Sequence, residues 1–373
     1  MQPFEKKKLK YQSKDSPNRT FQEIKLKANL YFADDHKQRD AKSFLIVKSV
    51  VLFLLLFATY YLLLHTHYIP KLFLFYILFG WIFLIIGINL GHDAAHHCVT
   101  GNRKVDSLLF QIIFGLQGLS GYLWQIRHNN SHHIFPNVFD YDTDLEITKL
   151  IILNPNQNIK WYHQYQYIYA PFVYMTFSIS WIFYQDFVLM FQKQHANLKM
   201  GKIPVVEIFK LLLVKIIYII LFLVIPIIYS PISAAWIFLA FILMHFVVSL
   251  FLAFTFFISH HVKETEYAEA DEKSGMVANS WFCHQIISTI DFNPESKVAN
   301  FIFGGFNTHI AHHLFPDISH IHYPALTEII KETLEEHNLQ WYQSFTFFEG
   351  IASHLTHLKN VSSAYPQNSI IQT

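Results

Sequence analysis

Four apolar stretches, joined in pairs by very short links, leave this chain of 373 residues few ways to fold. Residues 44–64 and 72–90 are each long enough as helices to cross about 30 Å of hydrocarbon. Residues 65–71, which include Pro70, separate them, so the spacing predicts a tight helical hairpin. Residues 211–228 and 232–258 repeat the arrangement around Tyr229, Ser230 and Pro231. Lipid offers no partner for backbone N–H and C=O groups, so such stretches must be helices. Lys215, the one charge in the second pair, stands near the end of its helix and is expected to snorkel to the interface. At about 1.5 Å per residue the last stretch is near 40 Å long, so it should project beyond the bilayer. The amino-terminal segment is rich in Lys and Arg, and the middle region opens with Arg103 and Lys104. The positive-inside rule then puts both termini and the middle region in the cytoplasm, with the hairpin tips opposite.

Composition agrees with this class. Charged residues make up 15% of the chain and hydrophobic residues 52%, against about a quarter charged in soluble domains. No basic block accompanies a nucleic-acid motif, so no nucleic-acid partner is expected. Cys98 and Cys283 stand far apart, which excludes a disulfide scaffold and a four-cysteine iron–sulfur cluster within the chain. The polar, charged start does not read as a cleaved signal peptide. Residues 1–43 are expected to form a cytoplasmic segment, 44–359 the membrane domain and 360–373 a polar tail, with 1–30 and the tail poorly ordered.

Three histidine clusters lie at or near the ends of apolar stretches: His92, His96 and His97; His128, His132 and His133; His309, His312 and His313. One zinc takes three or four protein ligands, so this much imidazole points to two metal ions held by nitrogen. Imidazole suits iron, copper, zinc and nickel alike. Four residues apart on a helix, His92 and His96 share a face; pairing of His92 with His97 is the alternative. His260 and His261 stand where the fourth helix should leave the bilayer, and His260 is the favoured ligand. The expected metal set is His92, His96, His128, His132, His133, His260, His309, His312 and His313. A shared site needs all clusters on one side of the membrane. The apolar residues 107–124 and 168–191 are therefore read as interfacial or re-entrant, with Gly115, Gly118 and Gly121 allowing close packing.

Ligating histidines need a partner on the second ring nitrogen. Asp93, Asn129, Asn137, Asp142, Asp144, His284 and Asn307 are expected to support the rings in this way, with His320 and His322 as further candidates. The acidic run from Asp140 to Glu146 is not an EF-hand, because Leu145 and Ile151 replace the required Gly and Glu; a solvated acidic loop is its other reading. His245 lies too deep in the fourth helix for ligation and suits packing or gating. His36, His65, His67, His163, His195, His337, His354 and His357 are read as surface or interface residues.

With these residues in view, the chain resembles the membrane-bound fatty acid desaturase family, in particular its bacterial linoleoyl-CoA and front-end branch. The resemblance runs from about Gly91 to Trp341. Its motifs are His92-Asp-x-x-His96; Trp124-Gln-Ile-Arg-His128-Asn with His132-His133-x-x-x-Asn137 and Asp142-Thr-Asp144; His260 with Lys263-Glu-Thr-Glu-Tyr267; and Gly304-Gly305-Phe-Asn307 before His309-x-x-His312-His313. It implies an all-α integral membrane protein, with four transmembrane helices in two hairpins under a cytoplasmic helical cap. It also implies two iron ions that use O2 and two external electrons to desaturate a fatty acyl-CoA or acyl lipid. Many front-end members have Gln where this chain has His309, and carry a fused cytochrome b5 domain with a His-Pro-Gly-Gly motif that this sequence lacks. Regiochemistry is therefore open, and a separate donor, ferredoxin or cytochrome b5 with its reductase, is expected. A hydroxylase or ketolase would share the metal site. A metal transporter would instead set its polar residues near the bilayer midplane.

Overall fold

The computed structural model describes residues 9–12, 15–34, 42–146, 148–271 and 274–363. The chain is built from helices, and four are long and apolar enough to cross a membrane: Ser43–His65, Ile69–Ala95, Val205–Tyr229 and Ala234–His260. Pro70 sits in the first turn of the second span, where its missing N–H costs nothing. The second and fourth spans form the centre, with 56% of their apolar windows buried, against 22% and 28% for the first and third. The outer spans turn Val47, Leu54, Phe57, Phe209 and Leu213 outward, a contiguous apolar surface that only lipid or a partner can cover.

The two disputed stretches do not add straight spans. Arg103–Leu116 and Gly121–His132 meet at 111°. Gly118 makes that corner with φ +74°, and a Cβ there would strike the Tyr218 ring of the third span at 2.8 Å. Gly115 lies as closely on Val214, so the glycine series does serve close packing. Lys215 does not snorkel. It is buried, with its ammonium 2.6 Å from Asp186 and donating to the Gly118 carbonyl at 2.5 Å. Asp186 also accepts from the Ser120 amide at 3.0 Å. This one pair ties the re-entrant corner and the Phe177–Phe191 segment to the third span.

The remaining elements form a cap over one end of the bundle. Ser280 and Ser296 cap its short helices Trp281–Ile287 and Lys297–Phe303 by accepting backbone N–H bonds. The amino-terminal segment is more ordered than its polarity suggests. Asp15–Asp34 is a helix whose buried stripe, Thr20, Ile24 and Ala28, packs on Tyr323–Glu336 and Trp281–Ile287. Lys10–Tyr11 pairs in parallel with Met276–Val277. At the other end the helix Phe347–Ser363 runs into the expected tail; residues beyond 363, and His36, lie outside the described set. His354 and His357 are buried on this helix, and His163 and His195 are buried too, contrary to the surface reading. The reason for the first two is amphipathicity. They stand on its inward face, where His354 bonds Tyr174 Oη at 2.8 Å and His357 bonds Tyr267 Oη at 2.9 Å.

Candidate metal centre

The ligand-bearing segments come together by local departures from α geometry. The second span loosens into a π turn over Gly87–Gly91 and then presents His92–Ala95. His97, with φ +62°, leaves the helix and belongs to no cluster. Ser120 caps Gly121–Arg127, accepting from the Leu123 amide at 3.3 Å, and the helix widens into a π turn at His128–His132. Such turns are frequent at functional sites. This one sends His128 and His132 to different clusters. The third group follows Gly304 and Gly305, at φ +58° and +91°, where a side chain on Gly304 would collide with the backbone of Ile88. That close approach lays the His309–Leu314 helix against the second span.

Two groups result. His92, His96, His128 and His312 each bring a ring nitrogen within 4.8 Å of the others, and His132, His260, His309 and His313 do the same. His133 stands between them, its ring centroid 4.6 Å from His312 and 4.7 Å from His313. The donor set fits metal ions. Nε2 of His92, His96 and His312 and Nδ1 of His309 are buried without a hydrogen-bond partner. His260 donates through Nδ1 to the Ser288 carbonyl at 2.9 Å, and His313 through Nδ1 to Gln285 Oε1 at 2.8 Å. Their Nε2 atoms, then bare lone pairs, face each other at 3.1 Å. His128 and His133 also bring Nε2 atoms to 2.9 Å of each other. The bare lone pairs of His260 and His313 repel unless a cation shares them.

Electrostatics point the same way. Burial, and then repulsion among neighbouring rings, holds His128, His133, His309, His312 and His313 well below the ordinary histidine range. They are neutral at pH 7, as ligation requires. His132 differs: burial would lower it, but the carboxylates of Asp142 and Asp144 raise it to about 9. Asp142 lies 3.2 Å from His132 Nδ1 and also accepts the amides of Asn137 and Asp144, each at 2.9 Å.

Residues 66–345 match the family model described as fatty acid desaturase. That covers most of the chain, and it contains every histidine of both clusters. The chain belongs to the fatty acid desaturase family. Among relatives, it is 29% identical over 365 residues to an acyl-lipid (8-3)-desaturase of Physcomitrium patens, covering 96% of this chain and 74% of that one. It is 26% identical over 344 residues to an sn-1 linoleoyl-lipid 6-desaturase of Synechocystis sp., covering 91% and 94%. The same kind of enzyme from Arthrospira platensis is 27% identical over 277 residues, with 74% of each chain covered.

Within this desaturase the expected supports divide sharply. Asp142 and Asp144 meet His132, as the acidic motif suggests. Asn137, with φ +60°, donates to the His260 carbonyl at 2.8 Å and so holds the end of the fourth span. The others do not reach a ligand ring by hydrogen bonding. Asp93 turns to Ser319 and His320, at 2.7 and 2.9 Å, and His320 in turn meets the buried Lys48 of the first span. His284 bonds the Pro136 carbonyl at 2.8 Å, Asn307 donates to Asn300, His322 bonds Tyr31, and Asn129 Oδ1 is buried without a partner. Sequence proximity placed these residues near the centre, but their side chains bind the cap together. The ring partners missed from sequence are Gln285, the Ser288 carbonyl and Tyr323, whose hydroxyl lies 3.1 Å from His312 Nδ1. None stands in a histidine motif. A backbone carbonyl leaves no sequence signal, and Gln285 gives only that of a polar residue in an apolar helix.

Both clusters open on a cleft walled by Trp124, Phe177, Trp181, Phe256, Phe257 and Phe306. A second apolar pocket lies between the spans and shares Trp181 with the first. His245 lines it, bonded to Ser178 at 2.7 Å and Tyr218 at 2.9 Å and outside both clusters. His261 lines the cleft and bonds Tyr267 at 3.0 Å, outside both clusters.

Proposed function

We propose that this desaturase holds one iron in each four-histidine cluster, with His133 adding a ninth nitrogen, and introduces a double bond into an acyl lipid. Two clusters of buried imidazoles opening on an aromatic cleft carry the reading. An unactivated methylene pair offers no acidic proton, so side-chain acid–base chemistry cannot remove its hydrogens. Irons bound there supply that oxidising power, in a reaction where –CH2–CH2–, O2, two electrons and two protons become –CH=CH– and two waters. The chain's own residues do the rest. Asp142, Gln285, the Ser288 carbonyl and Tyr323 fix which ring nitrogen points inward. Trp124, Phe177 and Phe306 exclude water and confine an extended chain. The shared wall at Trp181 lets the rest of that chain continue into the second cavity.

The matched relatives are named for desaturation of acyl lipids, at position 6 of a linoleoyl chain or as (8-3) enzymes. This favours an acyl-lipid substrate and desaturation over hydroxylation or ketolation. The electrons are assigned to a donor outside residues 1–373, which hold no dinucleotide fingerprint, haem motif or cysteine cluster. That donor docks on the cap, on the cytoplasmic side by the positive-inside rule. Arg103 and Lys104 are exposed there and can steer it, or equally bind the phosphates of lipid or CoA. Arg127 is buried in the cleft instead.

Expression in a host without polyunsaturated lipids, supplied with linoleic acid, tests the reading. A new double bond located by mass spectrometry, with about two irons in the purified chain, is the expected result. A hydroxylated or unchanged chain would refute it.

A further inference from the structure

The side chain of Arg127 lines the cleft beside His128, His132 and Trp181, yet the clusters do not use it. It is only 9% exposed. Nη2 donates to Asp144 Oδ1 at 3.2 Å. The Nε–H is buried and has no hydrogen-bond partner. A buried donor of a charged group is costly to leave unpaired, and native sites rarely do so without reason. Tethering Asp144 does not account for it, since that contact uses Nη2.

We propose that Arg127 binds the acyl carbonyl oxygen of the substrate through Nε–H, and thereby sets how many carbons separate that carbonyl from the bond that is oxidised. This rests on the acyl-lipid reading above. Three observations select a carbonyl. Asp144 already neutralises the guanidinium, so a neutral acceptor is favoured over a phosphate. The facing walls are aromatic, which suits the start of a hydrocarbon chain and not a hydrated headgroup. Asp144 also lies between Arg127 and His132, 3.2 Å from Nη2 and 3.6 Å from the His132 Nδ1, so a carbonyl held there is only a short run of methylenes from the second cluster. The longer remainder of the chain has the second cavity, past Trp181, to fill. Arg127 is thus a positioning residue that measures from the carboxyl end.

Two experiments on the full chain test this. In the linoleate-fed host, wild type should yield one positional isomer. Arg127→Lys, which can still pair with Asp144 but lacks the directional Nε–H, and Arg127→Gln should both give isomers displaced along the chain. Iron content should stay at the wild-type level. Either variant giving only the wild-type isomer, at any yield, would overturn the proposal. The second experiment needs no turnover. Quenching of cleft tryptophan fluorescence in detergent-solubilised protein reports binding of 1-linoleoyl-lysophosphatidylcholine and of its alkyl-ether analogue, which lacks the carbonyl. Wild type should prefer the ester by about tenfold, the worth of one good hydrogen bond, and Arg127→Gln should show no preference. A preference that persists in the variant would sink the idea. So would displacement of the ester by millimolar inorganic phosphate, which would assign Arg127 to a headgroup. Absence of any new double bond with wild type would instead refute the underlying substrate reading.

Discussion

Each ring in the two clusters is only as well placed as the group behind it. Gln285 is the sharpest case, because its side-chain oxygen, 2.8 Å from His313 Nδ1, chooses the tautomer of a ligand two elements away. Gln285→Leu should weaken metal retention by about 10–100-fold with little change in helicity, measured by chelator competition against circular dichroism. Tyr323→Phe should act in the same direction through His312. The doublets give a second expectation. His96→Ala and His260→Ala should lose product and metal, while His97→Ala and His261→Ala should retain metal, since neither latter ring enters a cluster. Metal analysis of the four variants checks this, and the reverse ranking would contradict the geometry. These choices were partly legible beforehand: i, i+4 spacing favoured His96, and the left-handed backbone at His97 removes that residue from the helix. The supports were legible only where an acidic motif announced them. Asp93 looked like a partner for His92 because it is its neighbour, but consecutive helical residues point about 100° apart.

At the scale of elements, the spans were written in hydropathy and their joints were not. Counting charges and apolar length locates all four spans, and requiring a shared site rejects a straight span through residues 107–124. What holds that segment in its bent form is the buried pair Lys215–Asp186, which joins residues 29 apart. No local pattern reveals such a pair, because each charge alone looks like an interfacial residue. Removing one partner strands the other in an apolar setting, at a cost of about 3–5 kcal/mol. Lys215→Met should therefore lower the thermal midpoint in detergent markedly. Lys215→Met with Asp186→Leu should recover much of the loss, and no recovery in the double variant would show that the pair is not the tie described. The amino-terminal helix was missed for a related reason. Its buried stripe is a narrow i, i+4 line of Thr20, Ile24 and Ala28 amid charged residues, too weak for composition to register.

For the whole molecule, the arrangement puts every clustered histidine at one end of the bundle and both hairpin tips at the other. Cysteines placed at the exposed Asn102 and Lys297 should resist an impermeant reagent in intact cells, while one at Tyr68 should react. Labelling at Asn102 from outside would invert the assigned orientation. A different consequence follows from how the histidine groups are dealt out. The second group gives His128 to one cluster and His132 to the other, and the third gives His312 to one and His309 with His313 to the other. Two short segments are thus stitched through both centres, and a backbone shift that improves one set of bonds strains the other. If each cluster takes an ion, the first captured should order the segments that the second needs. A cell starved of iron should accumulate empty and doubly loaded chains, with few that carry a single ion.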